Sequence, residues 1–256
     1  MEAELARSLE AFRAHPRGRW LLAGPVNSGK SSFLEMFLEA LKREMPSLNV
    51  GGLLSRGVFG ESGKIAYEGR DLQNVAKDGE GAAIFMELFC GAAGGALGGA
   101  AGAAAANWLG VGNKSIPPFL LALKSELSAG ESALIQSAFG ISWEMTNTAP
   151  SVSMGQWRIF ESGLACGRKA IERAVREKCD LVVVDEFGPL ERSGGGLRAA
   201  VDEAAIACAP LLVVARESLC ESLNGIYGEW RILPWRSAPA ASAASPAAAS
   251  GPLVNL

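Results

Sequence analysis

The run Gly24-Pro25-Val26-Asn27-Ser28-Gly29-Lys30-Ser31 constrains this chain more than any other feature. It fits the phosphate-binding pattern G-x-x-x-x-G-K-[ST], which has physical meaning only between a strand and a helix. Trp20 to Ala23 is a short apolar run ending at Gly24, and Phe33, Phe37, Ala40 and Leu41 recur at helical spacing up to Met45-Pro46, so both conditions are met. The glycines let the backbone wrap a polyphosphate with its N–H groups inward, and the helix start adds its positive dipole end. The binding set is Gly24, Pro25, Val26, Asn27, Ser28, Gly29, Lys30, Ser31 and Ser32, with Lys30 expected on the β- and γ-phosphates and the Ser31 hydroxyl on Mg²⁺. A plain glycine turn is the bland alternative.

A second constraint lies far along the chain. Leu181-Val182-Val183-Val184 is a continuous apolar run of the kind found in central parallel strands, and it ends at Asp185-Glu186. Carboxylates there sit at the carboxyl end of a strand, where ligands bind in open α/β sheets. Asp185 is suited to hold Mg²⁺, and Glu186 to orient or deprotonate a water. Leu211 to Ala215 repeats the pattern and ends at Arg216, while Arg56 follows the run Val50 to Leu54. Either arginine could stabilise developing γ-phosphate charge in cis, or be a surface residue paired with Glu61 or Glu217. Trp143 and Trp157 are candidates for base stacking or for core packing.

The remaining periodicity supplies helices between these strands. Leu5, Leu9 and Phe12 predict a lead helix ended by His15-Pro16; Leu164, Ile171, Ala174 and Val175 predict another; Ala199 to Ala207 reads as a third. Val58-Phe59, Glu61-Ser62-Gly63-Lys64 and Ile65 to Tyr67 read as a hairpin. Strand-helix alternation predicts a three-layer α/β fold.

Composition then removes whole classes of function. One histidine, His15, leaves nothing to build His-based zinc sites or Ser-His catalysis from. A net charge of -3 gives no overall field toward nucleic acid or anionic lipid. Five cysteines without close pairing predict reduced, mostly buried thiols, and the N-terminus lacks a secretory pattern, so a cytoplasmic setting is expected.

Two segments stand apart. Nineteen of the 31 residues from Ala82 to Gly112 are Ala or Gly, with glycine rows at four-residue spacing. As one helix from Ala82 to Leu109 it would reach about 42 Å, enough for a bilayer, but its weak apolarity and unbiased flanks favour a soluble insertion, as a packed helical hairpin or a flap. From Ser237 to Gly251 the chain is almost wholly Ala, Ser, Pro and Gly, a composition expected to stay disordered. The organisation expected is one domain over 1–236, with an insertion at about 80–115, and a tail over 237–256.

Four motifs together resemble a known family. Gly24 to Ser31, Gly51-Gly-Leu-Leu-Ser-Arg56 before the hairpin, Gly155-Gln-Trp-Arg-Ile-Phe-Glu161 before a helix, and Val184-Asp-Glu-Phe-Gly-Pro-Leu-Glu191 resemble the small nucleoside-triphosphatase family first described in thermophiles, which includes the cancer-related NTPase. The likeness covers roughly 18–75 and 150–235. It implies a P-loop fold of the additional-catalytic-glutamate (RecA-like) type, with a mostly parallel central sheet and a β-hairpin. It implies slow hydrolysis of nucleoside triphosphates with little base selectivity, with Lys30 and Ser31 on phosphate and Mg²⁺, Asp185 on Mg²⁺ and Glu186 on water. Gly188-Pro189 would shape the next loop and Glu191 would be a structural carboxylate. No Asn-Lys-x-Asp guanine element is present; Asn113-Lys114-Ser115-Ile116 lacks the aspartate. The insertion and the tail depart from the family. They leave open a nucleotide-switched module that engages a membrane or protein partner through 82–112, and, further down, a small-molecule or nucleotide kinase.

Overall fold

The computed structural model describes residues 2–73, 119–141 and 143–235. The Ala/Gly-rich stretch and the Ala/Ser/Pro tail lie outside the described residues, as do the expectations placed on them.

The chain opens with α1 (Glu2–Ala14), β1 (Arg19–Gly24) and α2 (Lys30–Glu44), followed by a long hairpin of β2 (Val50–Gly60) and β3 (Gly63–Asp71). After it come β4 (Phe119–Lys124), α3 (Ala129–Phe139), α4 (Trp143–Thr148), the short hairpin β5 (Ser151–Met154) and β6 (Trp157–Phe160), and α5 (Glu161–Arg176). The last part is β7 (Leu181–Phe187), α6 (Pro189–Arg192), α7 (Arg198–Ile206), β8 (Leu211–Arg216), α8 (Cys220–Tyr227) and β9 (Arg231–Ile232).

All described strands join one sheet in the order β5-β6-β4-β3-β2-β7-β8-β1-β9. The expectation of a mostly parallel sheet needs correction. From β2 to β9 the neighbours are parallel, whereas β2-β3, β3-β4, β4-β6 and β6-β5 are all antiparallel. The sheet is evenly mixed because β2 serves both halves. Its start, Val50 to Leu53, pairs with Leu181 to Val184 of β7, and from Leu53 onward it pairs with β3. Val50 to Leu54 and Val58-Phe59 are thus one strand, and Arg56 lies within it rather than after its end.

The parallel half is covered on both faces, which its sequence shows residue by residue. Side chains alternate along a strand. Leu21, Val182, Val184, Leu211 and Val213 enter the core under α5, α7 and α8. Trp20, Leu22, Leu181, Val183, Leu212 and Val214 enter the opposite core with Leu9 and Phe12 of α1 and Phe33, Phe37 and Leu41 of α2. A third cluster, under α3, gathers Ile65, Leu120, Leu123, Ile135, Phe139 and Phe160 from the antiparallel half. The described cysteines are free, and only Cys179 is fully buried; Cys208 is exposed.

After β9 the backbone continues along β1. The Leu233 N–H donates to the Leu21 carbonyl, and the Trp235 indole donates to the Ala23 carbonyl at 2.6 Å. Trp235 lies so close to Gly24 that a Cβ there would come within 2.5 Å of its ring. The base of the glycine loop is therefore seated on an aromatic plate.

Candidate nucleotide-binding site

The loop after β1 turns sharply into α2 because two residues take left-handed backbone. Asn27 has φ 56° and Gly29 φ 90°. Asparagine tolerates that region, and glycine enters it at no steric cost. A Cβ on Gly29 would meet nothing within 4 Å, so conformation rather than space calls for glycine there. Gly29 is the N-cap of α2 and has no side-chain cap, which leaves the positive end of the helix facing the loop. The Lys30 ammonium donates to the carbonyls of Gly24 at 3.0 Å and Pro25 at 2.6 Å, and Ser28 Oγ closes the loop onto the Pro25 carbonyl at 2.7 Å. Burial lowers the Lys30 pKa, against the opposing pull of Glu186 and Asp185.

Opposite the loop, at the end of β7, Asp185 is 1% exposed. Ser31 Oγ donates to its Oδ1 at 3.2 Å, and the backbone N–H of Ser55 in β2 donates to Oδ2 at 3.0 Å. The Ser55 hydroxyl also donates to the Asp185 carbonyl, at 2.9 Å. Burial lifts the Asp185 carboxyl to about 7, with the Ser55 and Ser31 hydrogen bonds opposing the rise. Three parts of the chain distant in sequence therefore meet at one carboxylate.

Glu186 reaches the same cavity by a different device. In a regular strand it would face away from Asp185. Here β7 pairs Asp185 with Val214 and then Phe187 with Ala215, so Glu186 is an extra residue against β8, with φ 92°. Such a bulge re-aims a side chain, and a non-glycine residue held in that region stores on the order of 1–3 kcal/mol of strain. Glu186 is exposed, while Asp185 beside it is buried.

These residues line a cavity of about 370 Å³, within the usual size of small-molecule sites. Val26, Asn27, Ser28, Gly29, Lys30, Ser31 and Ser32 form one wall, and Asp185, Glu186, Val214, Ala215 and Arg216 another. Gly24 and Pro25 stand behind the loop and act through their carbonyls. Arg216 lies beside Gly24 across β8 and β1. Arg56 is not among the lining residues; its guanidinium is 2.5 Å from Glu35 Oε1 of α2 and 3.9 Å from Glu68. Trp157 packs edge-on to Tyr67, with ring centroids 5.0 Å apart, behind the lining. Glu191 is buried and accepts from the N–H groups of Gly188 and Leu197, at 2.8 and 3.1 Å, tying down the loop after β7.

The third wall escapes sequence reasoning. Gly57, Phe59, Lys64 and Tyr67 of the β2-β3 hairpin line the cavity, and Ser55 orients Asp185 from the same strand. The one local signal was the Leu-Leu-Ser-Arg segment, where a small polar residue follows a buried run. Burial, with Glu186 nearby, pushes the Tyr67 phenol up to about 12, so it stays protonated at neutral pH.

Chemically, the site presents a helix N-terminus and cations for an anion, together with a hydroxyl and a carboxylate for a hard metal ion. Among the described residues no group of three or more His, Cys, Asp or Glu forms a self-sufficient metal site. No described helix is long and apolar enough to cross a membrane.

A family model described as a protein of unknown function, DUF2478, matches residues 130–238, which include Asp185 and Glu186 but not the glycine loop. The solution structure of a human cancer-related nucleoside triphosphatase aligns with 84% of this chain and 87% of its own, at 13% identity and a TM-score of 0.47. A likeness at that level has no bearing on activity. No curated protein sequence matches this chain.

Proposed function

We propose that this chain is a Mg²⁺-dependent nucleoside triphosphatase that converts a nucleoside triphosphate and water to the diphosphate and phosphate, with little selection of base. The observation that carries this reading is the contact of Ser31 Oγ with Asp185 Oδ1 at 3.2 Å, beneath a glycine loop that opens a helix. It supports the reading because it brings two hard oxygen donors together beside the N-terminus of α2.

The residues fit Mg²⁺. One hydroxyl and one carboxylate leave most of an octahedral shell to phosphate oxygens and water, which is how Mg²⁺ is ordinarily held at nucleotides. Ser31 and Asp185 would hold it, and the raised pKa of the buried Asp185 is what a divalent cation would bring back toward ionisation. When bound, Mg²⁺ there supplies neutralisation of phosphate charge.

The chain's own groups do the rest. The loop N–H groups and the α2 dipole seat the phosphates, and Lys30 exchanges its carbonyl partners for β- and γ-oxygens. Glu186, aimed into the cavity by the bulge, aligns a water and accepts its proton. The water oxygen bonds to the γ-phosphorus, the bond to the β-γ bridging oxygen breaks, and that electron pair leaves on the diphosphate.

The test is phosphate release with Mg²⁺ and ATP, GTP, CTP or UTP in turn, without an acceptor. Slow release from several nucleotides is expected. Glu186→Gln should retain nucleotide binding and lose about 10²- to 10⁴-fold in rate, and Lys30→Ala should lose binding. No release by the wild type, or an unchanged rate in Glu186→Gln, would overturn the reading.

A further inference from the structure

Phosphoryl transfer needs positive charge at the bridging oxygen as well as under the phosphates, because that oxygen gains charge as its bond breaks. Lys30 approaches the loop from its carbonyl side. A second lysine reaches it from the opposite wall. Lys64 Nζ on β3 donates to Asn27 Oδ1 at 3.2 Å, at the left-handed turn of the glycine loop, and lies 3.3 Å from the Tyr67 hydroxyl. Its ammonium stands 4.6 Å over the Tyr67 ring and 5.8 Å from that of Phe59.

The lysine is aimed, not merely nearby. Its stem lies across Gly57, where a Cβ would come within 2.9 Å of Lys64 Cε and would push the stem aside. Tyr67, on which the ammonium rests, is buttressed edge-on by Trp157. The hairpin turn is tied to the body as well: the Ser62 N–H donates to Glu131 Oε1 at 2.9 Å, and Lys124 Nζ donates to Ser62 Oγ at 3.0 Å. By contrast, Arg56 is engaged by Glu35 and Glu68 outside the cavity.

We propose that Lys64 is a catalytic cation supplied in cis by the hairpin, exchanging Asn27 for the β-γ bridging oxygen and a γ-phosphate oxygen as the transition state forms. This rests on the triphosphatase reading above. The reaction balances as stated there: water adds to the γ-phosphorus, its proton passes to Glu186, and the electron pair of the broken bond is left on a diphosphate oxygen that Lys64 stabilises. Asn27 holds the ammonium in place beforehand, so little reorganisation is needed at reaction.

The experiment compares wild type with Lys64→Met, Lys64→Arg and Gly57→Ala by three readouts: phosphate release, affinity for a non-hydrolysable Mg²⁺-NTP analogue, and retention of Mg²⁺-NDP with aluminium fluoride as a transition-state mimic. Lys64→Met should lose about 100-fold or more in turnover and lose the aluminium-fluoride complex, with affinity for a non-hydrolysable Mg²⁺-NTP analogue falling far less than the rate. Lys64→Arg should recover most of the rate, and Gly57→Ala, which displaces the stem without removing the charge, should fall between. Wild-type turnover persisting in Lys64→Met overturns this proposal and leaves the triphosphatase reading standing. A loss of affinity for the triphosphate analogue that matches the loss of rate also overturns it, because Lys64 would then serve ground-state binding alone. Nucleotide binding by the wild type without phosphate release overturns the triphosphatase reading and this proposal with it.

Discussion

The two halves of the sheet are built by different rules and contribute different things to the cavity. In the parallel half, β7 and β8 are covered on both faces, so they are unbroken apolar runs whose only polar residues stand at their carboxyl ends. In the antiparallel half, β5 has three of its four residues exposed, and β2 changes from buried to partly exposed after Ser55. The first half delivers the glycine loop, Asp185, Glu186 and Arg216; the second delivers Ser55, Gly57, Lys64 and Tyr67. A helix-covered sheet places groups at strand ends, whereas an antiparallel arm can lay side chains across a site from its flank.

The largest effect expected from separating the halves is on stability. Phe160 is only 1% exposed in the cluster under α3, and Phe160→Ala should cost about 3–5 kcal/mol. Hydrogen exchange should then show protection falling in β3, β4 and β6 while β7 and β8 keep theirs. Uniform loss throughout would show that the sheet opens as one unit and that the division is only architectural.

A smaller effect, of opposite sign, is expected at the bulge. Glu186→Gly relieves a non-glycine residue at φ 92° and should raise the urea midpoint by the equivalent of about 1 kcal/mol while abolishing phosphate release. An unchanged or lower midpoint would mean that the bulge is relaxed and that the parallel half holds no strain at its active end.

The smallest is a pH dependence at the hairpin anchor. Glu131 is held down to about 2, from an ordinary 4.5, by the Ser62 hydroxyl first, then by the backbone N–H groups of Ser128 and Ser62. A carboxylate whose pKa is lowered by folding stabilises fully above its unfolded value and loses that contribution as pH falls through the folded one. The melting temperature of the wild type should therefore exceed that of Glu131→Gln at neutral pH, with the gap closing between pH 4.5 and 2. A gap constant across that range would remove the carboxylate from the anchor.

The same contrast explains what could be read in advance. Leu181 to Val184, Leu211 to Ala215 and the glycine loop announce themselves through local spacing, since burial on both faces forces an apolar run and phosphate binding forces a loop pattern. Phe119 to Lys124 is just as apolar but has no such motif beside it, and Ser151 to Met154 and Trp157 to Phe160 are too short and too mixed in polarity to stand out. In the cavity, Lys30, Ser31, Asp185 and Glu186 were legible. Lys64, Tyr67 and Ser55 were not, because their positions depend on hairpin register and on β2 continuing past Leu54, which only strand pairing determines. The bulge at Glu186 depends likewise on β8, a neighbour almost thirty residues away.

The continuity of β2 has a mechanical meaning. Ser55, which bonds Asp185, and Gly57, over which the Lys64 stem lies, are two residues apart on one uninterrupted strand. A pleated strand is stiff along its length, advancing about 3.3 Å per residue, so it acts as a ruler between the acidic and basic sides of the cavity. The spacing of opposite charges is set when the chain folds, and a ligand arriving there meets an electric field already in place.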